Sequence, residues 1–483
     1  PIRGPSMRHD SMSGPRACAA VVILALLVAL SSHMGMAHGG TALGLLTPLA
    51  TAPPAPTTWR VHHELVPCPD APPLGRTVAM HGQWLLVGSW HDQDLGVTPP
   101  VVQASRLNHQ RWSCDAPIEH PTLDPYADFG RAIAIHGDLL AIGAPRESIQ
   151  GLHAAGAVHV FRHHGQGWRH IGTLHTPILQ GGAEFGAAIA LQGQHLIVGS
   201  PRWDHGPASF DEGRADLYAI TDAGIEHRAA LRSPTPVQGG RFGFSVAIND
   251  SFIAMGAPWE PGTNPSIRGG AVHIGMAAAD GESTPMITDR LGARAANEWL
   301  GWSIALMDHE VVVGAPRADG GAISPSTIGR RRGCVVTAGL TSSGLLMGEQ
   351  RVWGFTHPEE HVGLSVSASN GWIIAGAPTA ADREPSQGAV YLLKRTLSCP
   401  GSSGHSHRWR TVQRIVAPDP TEGEGVGASV AISGPWAAAA RTGDPEQPVT
   451  PGSCLVLSLD WVQPLDDLAP ALGALARDEG ILH

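Results

Sequence analysis

Short apolar runs separated by turn residues fill most of the 483-residue chain. In Val246-Ala247-Ile248, Asn249-Asp250, Phe252-Ile253-Ala254-Met255 an apolar run reaches a two-residue polar turn and resumes beyond it, which predicts a tight β-hairpin. The fuller form, from Phe129-Gly130 to Gly143-Ala144-Pro145, places two glycines 13 residues apart. The same spacing recurs at Gly75/Gly88, Gly186/Gly199, Gly243/Gly256, Gly301/Gly314 and Gly363/Gly376, and once more at Gly427 with Ala440 in the second place. Successive first glycines are 55, 56, 57, 58, 62 and 64 residues apart, so the inner spacing is held while the outer one drifts. That is the signature of one structural unit written seven times, with its length variation confined to loops.

Each copy carries further strand patterns. A third strand is read in Gly156-Ala157-Val158-His159-Val160-Phe161, Gly270-Ala271-Val272-His273-Ile274 and Gly388-Ala389-Val390-Tyr391-Leu392. A fourth is read in Trp168-Arg169-His170-Ile171 and Trp409-Arg410-Thr411-Val412. Four strands per unit of this length describe a propeller blade, and a blade that cannot cover both of its faces must stack against neighbours around an axis. The expected fold is therefore all-β, a seven-bladed β-propeller of four-stranded antiparallel blades over residues 59–461. Trp59 to Pro67 reads as a fourth strand preceding the first copy, while the seventh copy lacks one after Gly452-Ser453-Cys454-Leu455-Val456-Leu457. The N-terminal strand is thus expected to complete the last blade and remove its open edge. Residues 462–483 carry Leu468, Leu472, Leu475 and Ala476 at helical spacing, which predicts a short C-terminal helix.

Phe-Gly followed by Gly-Ala-Pro resembles the FG-GAP repeat, the unit of the integrin α-subunit head and of many secreted bacterial proteins. The Gly-Ala-Pro tripeptide stands at Gly143, Gly256, Gly314 and Gly376, with Gly199-Ser200-Pro201 close to it. The resemblance implies the propeller fold and an adhesion or scaffold role. Its Asp-x-Asp-x-Asp-Gly calcium loop is not carried over: between the two glycines there is room only for two short strands and a turn such as His136-Gly137, Gln192-Gly193 or Asn370-Gly371. Asp92 and Asp94 form an isolated pair read as a solvated loop. No metal and no cofactor is expected.

Composition adjusts this reading. Gly 60 and Pro 40 match a fold of many short elements, and 42% hydrophobic residues argue against a disordered polymer. Only 15% of residues are charged, Lys+Arg 32 against Asp+Glu 42 leave a net charge of -10, and nucleic acid is excluded as a partner. Arg8 and Arg16 precede an apolar run from Ala17 to Leu30, followed by small residues, which predicts a signal peptide within residues 1–39, with Met7 or Met12 as the start, and a Pro/Thr-rich linker over 40–58. The run is shorter than the roughly 20 residues that a spanning helix needs. The mature chain is expected to be secreted, periplasmic or on the cell surface, monomeric and without a membrane span.

Candidate chemistry is sparse. His357-Pro358-Glu359-Glu360-His361 matches the His-x-x-Glu-His pattern of zinc peptidases, but that chemistry needs both histidines on one helical face, and Pro358 with the repeat opening at Gly363 makes this a loop. The 26 histidines, including the His62-His63 and His163-His164 doublets, lack a consistent spacing and read as polar surface. No Gly-x-Ser-x-Gly elbow occurs, so no catalytic residue is assigned. Export favours disulfides. Cys68 with Cys114, flanking the first blade, is the first pairing expected and Cys399 with Cys454, on adjacent blades, the second; Cys334 is read as a small buried residue.

Loop length gives the clearest functional lead. First and second strands are joined by about two residues, whereas second and third strands are joined by stretches such as Arg146 to Ala155, Arg202 to Glu212, Trp259 to Gly269 and Arg317 to Arg332. In an up-and-down blade these long loops share one face with the blade-to-blade connections, and that face is where binding is expected. Arg146, Glu147, Arg202, Trp203, Asp204, Trp259, Glu260, Arg317 and Asp319 are the candidate ligand-binding residues, a mixture of Arg and Trp suited to recognition. Arg330-Arg331-Arg332 reads as a solvated turn. The expected function is an adhesion or scaffold module for an extracellular or envelope protein or glycan. The alternatives are a polysaccharide hydrolase or lyase, with two carboxylates converging in the central mouth, and a structural envelope component.

Overall fold

A computed structural model describes residues 58–65, 74–89, 100–109, 111–165, 167–207, 209–277, 285–319, 331–353, 359–397, 407–420, 422–442 and 452–459. The predicted leader, the linker up to residue 57, Asp92, Asp94, His357, Pro358, Arg330, Cys68, Cys399 and the C-terminal helix lie outside them. Among the described residues no helix is long and apolar enough to cross a membrane.

The described elements form seven antiparallel sheets in chain order. Blade 1 is β2 (Leu74–His81), β3 (Trp84–Ser89), β4 (Val101–Asn108) and β5 (Arg111–Cys114), extended by β6 (Ile118–Glu119). Blade 2 is β7 (Ile133–His136), β8 (Leu139–Ala144), β9 (Ala157–His163) and β10 (Trp168–Leu174). Blade 3 is β11 (Ala188–Gln192), β12 (His195–Ser200), β13 (Arg214–Thr221) and β14 (Gly224–Leu231). Blade 4 is β15 (Ser245–Ile248), β16 (Phe252–Ala257), β17 (Ala271–Met276) and β18 (Ile287–Gly292). Blade 5 is β19 (Ser303–Met307), β20 (Glu310–Ala315), β21 (Cys334–Leu340) and β22 (Leu346–Trp353). Blade 6 is β23 (Ser365–Ser369), β24 (Trp372–Ala377), β25 (Ala389–Leu397) and β26 (His407–Ile415). Blade 7 is β27 (Val430–Ser433), β28 (Trp436–Arg441), β29 (Ser453–Leu459) and β1 (Trp59–Leu65). The first strand of each blade packs beside that of the next, and β2 packs against β27, so the blades form a closed ring.

Stacking explains why the second strands are continuous apolar runs rather than alternating ones, since both faces of each blade are covered. In β16, Phe252 and Ala254 join the core shared with blade 5, while Ile253 and Met255 join the core shared with blade 3. Seven such cores lie one between each pair of neighbouring blades.

The two glycines of each copy have distinct tasks. Within a blade, the N–H of the first donates to the carbonyl of the second, as Gly130 to Gly143 (3.0 Å) and Gly363 to Gly376 (3.0 Å), which closes the hairpin and fixes the 13-residue spacing. Between blades, the second glycine presses against the carbonyl of the next blade's first glycine. A Cβ on Gly314 would lie 1.9 Å from the Gly363 oxygen, and one on Gly376 1.8 Å from the Gly427 oxygen. Ser245, Ser303 and Ser365 donate hydroxyl hydrogen bonds across the same joints, to Gly301, Gly363 and Gly427 (2.8, 2.8 and 2.7 Å). At the joint from blade 7 to blade 1 the tight contact moves: there a Cβ on Gly75 would meet the Arg441 carbonyl at 2.2 Å. Position 440 is relieved of the requirement, which accounts for the alanine of the seventh copy.

The N-terminal strand completes blade 7. β1 pairs antiparallel with β29, from Trp59 opposite Leu459 to Leu65 opposite Cys454. Its anchor reproduces that of a regular fourth strand. The Trp59 N–H donates to Gln413 Oε1 (2.8 Å) and Gln413 Nε2 donates to the Trp59 carbonyl (2.7 Å), just as Gln350 clamps Trp409 at 3.0 and 2.7 Å. The Trp59 ring meets Trp372 edge-on at 5.6 Å.

Cys114 is disulfide-bonded. Cys334 and Cys454 are free and fully buried. The expected Cys399–Cys454 pairing is thereby corrected: the Cys454 thiol is packed among Leu74, Val456 and Ala440 in the core between blades 7 and 1.

Candidate functional site

The loop face is organised by the first glycine of each copy. The residue two before it has a positive φ at Asp128 (61), Glu184 (54), Arg241 (55), Trp299 (57) and His361 (53), a left-handed turn that brings the chain from the previous blade into the innermost strand. The residue one after it begins that strand at the central mouth. These two positions, together with the residue three beyond the second glycine, crown the axis.

The crown is divided. Over blades 1 to 3 it is charged: Arg76 pairs with Asp128, Arg202 pairs with Glu184 (3.0 Å) and approaches Asp211 (3.5 Å), and Arg241 pairs with Asp211 (3.2 Å). Over blades 4 and 5 the same positions hold Phe244, Trp259, Trp299 and Trp302, all half-buried. Trp299 and Trp302 stack at 4.7 Å with 13° between their planes, and Phe244 lies 4.7 Å from Trp302 and 5.1 Å from Trp259. Arg317 lies over the Trp299 ring at 4.2 Å and Arg241 over the Trp259 ring at 4.6 Å. His361 follows on blade 6, its Nδ1 2.7 Å from Thr379 Oγ1; burial, then the charges of Arg317 and Arg331, pull its imidazole below the ordinary value.

Beneath the crown, blades 2 to 6 each pair one large residue with one small one. The partners stand three residues before the first glycine and four after the second: Ala127 with Glu147, Ala183 with Trp203, Gly240 with Glu260, Glu298 with Ala318, and Glu360 with Ala380. All are buried, and a Cβ on Gly240 would press at 3.0 Å on the Glu260 side chain. The large residue reaches outward to the third or fourth strand of its own blade. Glu147 accepts from His120 (3.1 Å) and His159 (2.8 Å), Glu260 from His273 (2.8 Å), Glu298 from Arg351 (2.9 Å), and Glu360 from the Tyr391 hydroxyl (2.6 Å). Trp203 instead carries Arg214 at 4.7 Å, whose guanidinium is held by Asp216. A buried carboxylate without such a partner would be strongly destabilising.

His120, Glu147 and His159 gather ligand atoms within 4.8 Å of one another, the separation a metal ion requires. The proton positions point elsewhere. His120 Nδ1 faces the N–H groups of Thr122 and Asp124, both at 3.3 Å, so it is the accepting nitrogen; the ring proton sits on Nε2 and is donated to Glu147. A metal ligand would need Nε2 free. The blade-4 counterpart, Glu260 with His273, makes the same contact with a single histidine, and the triad is a latch of the same kind. Burial alone would raise the Glu147 carboxyl, but hydrogen bonds from His120 and His159 outweigh it and bring it down to about 2.

The residues expected on the binding face therefore separate. Glu147, Trp203 and Glu260 are 9%, 5% and 1% exposed; they belong to the latches and are corrected from surface to interior. Trp259 and Arg317 stand in the aromatic ridge. Arg146 is exposed, Arg202 is held by Glu184 and Asp211, and Asp319 accepts from the Arg331 N–H (2.7 Å). Asp204 accepts from the Asp211 N–H (2.8 Å) and lines a cavity of about 610 Å³ with Gln180, Trp203 and Phe210. Sequence reasoning missed Phe244, Trp299, Trp302 and Arg241. Their signal was positional: aligned on the first glycine, only copies four and five put aromatic residues where Asp128 and Arg131, or Glu184 and Ala187, stand elsewhere.

Residues 123–161, the second copy, match the family model described as FG-GAP repeat. No curated protein matches the chain. Among solved structures, one titled Kuenenia stuttgartiensis Hydrazine Synthase is similar at 12% identity, over 77% of this chain and 93% of that one, with a TM-score of 0.44. So loose a likeness says nothing of activity.

Proposed function

We propose that this FG-GAP β-propeller is an exported binding module that recognises a partner protein or glycan through the face carrying its second-to-third-strand loops. The observation that carries the reading is the ridge of Phe244, Trp259, Trp299 and Trp302 flanked by Arg241 and Arg317. Tryptophan and arginine are enriched among the residues that dominate binding energy at protein interfaces, and this cluster, although it spans the joint between blades 4 and 5, is only half-buried on a rigid ring. The blade cores and latches already bury the residues that hold the blades together. The rigid scaffold also favours binding, since little entropy is lost in ordering the face.

The test is affinity capture from the extracellular and envelope fraction of the source cells, with the full chain as bait and Trp299→Ala/Trp302→Ala as control, both checked for equal thermal unfolding. A defined partner retained by the wild type and lost by the variant supports the reading. Equal capture by both, or none, overturns it.

A further inference from the structure

Resting on that reading, the chemistry of the ridge narrows its ligand, and we infer that it takes an extended acidic polypeptide segment. The side chains of the ridge offer hydrogen-bond donors. The indole N–H groups of Trp259, Trp299 and Trp302 have no hydrogen-bond partner among the described residues, and none of them is sealed from solvent. Arg317 stands over Trp299 with no carboxylate bonded to its guanidinium, unlike Arg76, Arg202 and Arg241 on the same crown. Burial and the charge of Arg331 lower the Arg317 guanidinium against the opposing pull of Asp319, as expected of a cation short of a counter-charge. Donors without a bonded acceptor are complemented by carboxylates and backbone carbonyls.

The ring faces argue against a sugar. A guanidinium at 4.2 Å and a stacked ring at 4.7 Å cannot share one side of Trp299, so Arg317 and Trp302 cover its two faces. Trp302 is further enclosed by Phe244 and Trp259, and Trp259 is capped by Arg241. Both faces of Trp299, one face of Trp302 and one face of Trp259 are thereby covered, which leaves little flat aromatic surface for a pyranose. What the ridge presents is ring edges, three indole N–H groups and the outer side of a guanidinium, which suit a narrow chain laid across them.

The experiment selects from a random dodecapeptide display library with the full chain, then measures the affinity of the selected peptides by fluorescence anisotropy. The expected result is enrichment in Asp and Glu, with affinity falling as salt is raised. Arg317→Gln should weaken binding by roughly tenfold. Trp302→Phe, which keeps an aromatic ring but removes the indole N–H together with the fused five-membered ring, should weaken it by about threefold. Selected sequences that are neutral or basic yet still lose affinity in Arg317→Gln overturn the acidic inference and leave the binding face standing. Peptides insensitive to both substitutions overturn the placement on the ridge, and the capture experiment then decides the broader reading alone. Displacement of the peptides by polygalacturonate as readily as by free peptide overturns the choice of polypeptide over acidic glycan.

Discussion

The Cα of Gly314 in blade 5 faces the carbonyl oxygen of Gly363 in blade 6 so closely that a methyl group placed on it would lie 1.9 Å from that oxygen. The nearest obstacle is a backbone carbonyl, which cannot turn away as the Ser303 hydroxyl at 2.3 Å could. Gly314→Ala should therefore force the two blades apart and lower stability by about 3 kcal/mol or more. Gly137→Ala, in an open turn with nothing within 4 Å and a φ of 62, carries only the cost of a left-handed alanine, about 1 kcal/mol. Urea unfolding of the two variants checks this; equal midpoints would remove the close approach as the reason for the repeated glycine.

Ring closure rests on Trp59, which fills the same clamp as Trp409. Trp59→Ala is expected to cost about 3–5 kcal/mol, the usual range for a buried tryptophan. Deleting Trp59 to Pro67 should destabilise the chain more, because it also exposes the edge of β29. A thermal midpoint unchanged by the deletion would show that blade 7 holds without β1.

The His120–Glu147–His159 latch makes a pH prediction with a definite sign. The Glu147 carboxyl is depressed from 4.5 to about 2, so its contribution is complete above the unfolded value and is lost as pH falls toward the folded one. With allowance for solvent screening, Glu147→Gln should be less stable than wild type by about 2 kcal/mol at neutral pH. The gap should close as the solution is acidified below pH 4.5. A gap that stays constant over that range would mean the carboxylate is not held by its two imidazoles.

Because His120 Nδ1 already accepts from two backbone N–H groups, the triad is expected to ignore metal. Addition of Zn²⁺, Ca²⁺ or chelator should leave the thermal midpoint where it is. A rise of several degrees with Zn²⁺ that is lost in His159→Gln would assign the site to metal after all.

The latch of blade 6 can be tested by exchange. Glu360→Ala should destabilise by about 3 kcal/mol, since it leaves the Tyr391 hydroxyl without its acceptor and opens a void at a buried position, while Arg414 keeps Asp382. Ala380→Glu alone should overpack the same spot. Combining the two recreates the arrangement of blade 2, and the double variant should be more stable than the sum of the single changes predicts by 1 kcal/mol or so. Strict additivity would show that the two positions do not share a space.

The architecture was readable because its causes are local and repeated. The 13-residue spacing is the length of a hairpin whose glycines bond to each other, and the surplus strand at Trp59 is matched by the deficit after Leu457. The site was less readable because a loop residue's exposure depends on a partner about twenty positions away. Glu147, Trp203 and Glu260 look like surface groups in sequence, and only Ala127, Ala183 and Gly240 reveal the space they turn into. Trp302 was hidden for the opposite reason: directly after a repeat glycine it reads as the first residue of a core strand, whereas that position opens onto the mouth. The Cys399–Cys454 pairing failed because neighbouring blades were taken as proximity enough, while the Cys454 side chain points into the core between blades 7 and 1.

The exchange of large and small residues across each hairpin also bears on how such a ring can be rebuilt. Blades 2 to 6 are candidates for transplantation within the ring, because each brings both halves of its own latch. Half-blades are not interchangeable. A crossover that joins the entry loop of blade 2 to the hairpin exit of blade 5 brings together Ala127 and Ala318 and leaves a void; the reverse joins Glu298 and Glu147 and crowds two carboxylates into one. Recombination between copies is therefore tolerated at the boundaries between blades and penalised inside them, a constraint that would keep seven similar segments from blending into one consensus.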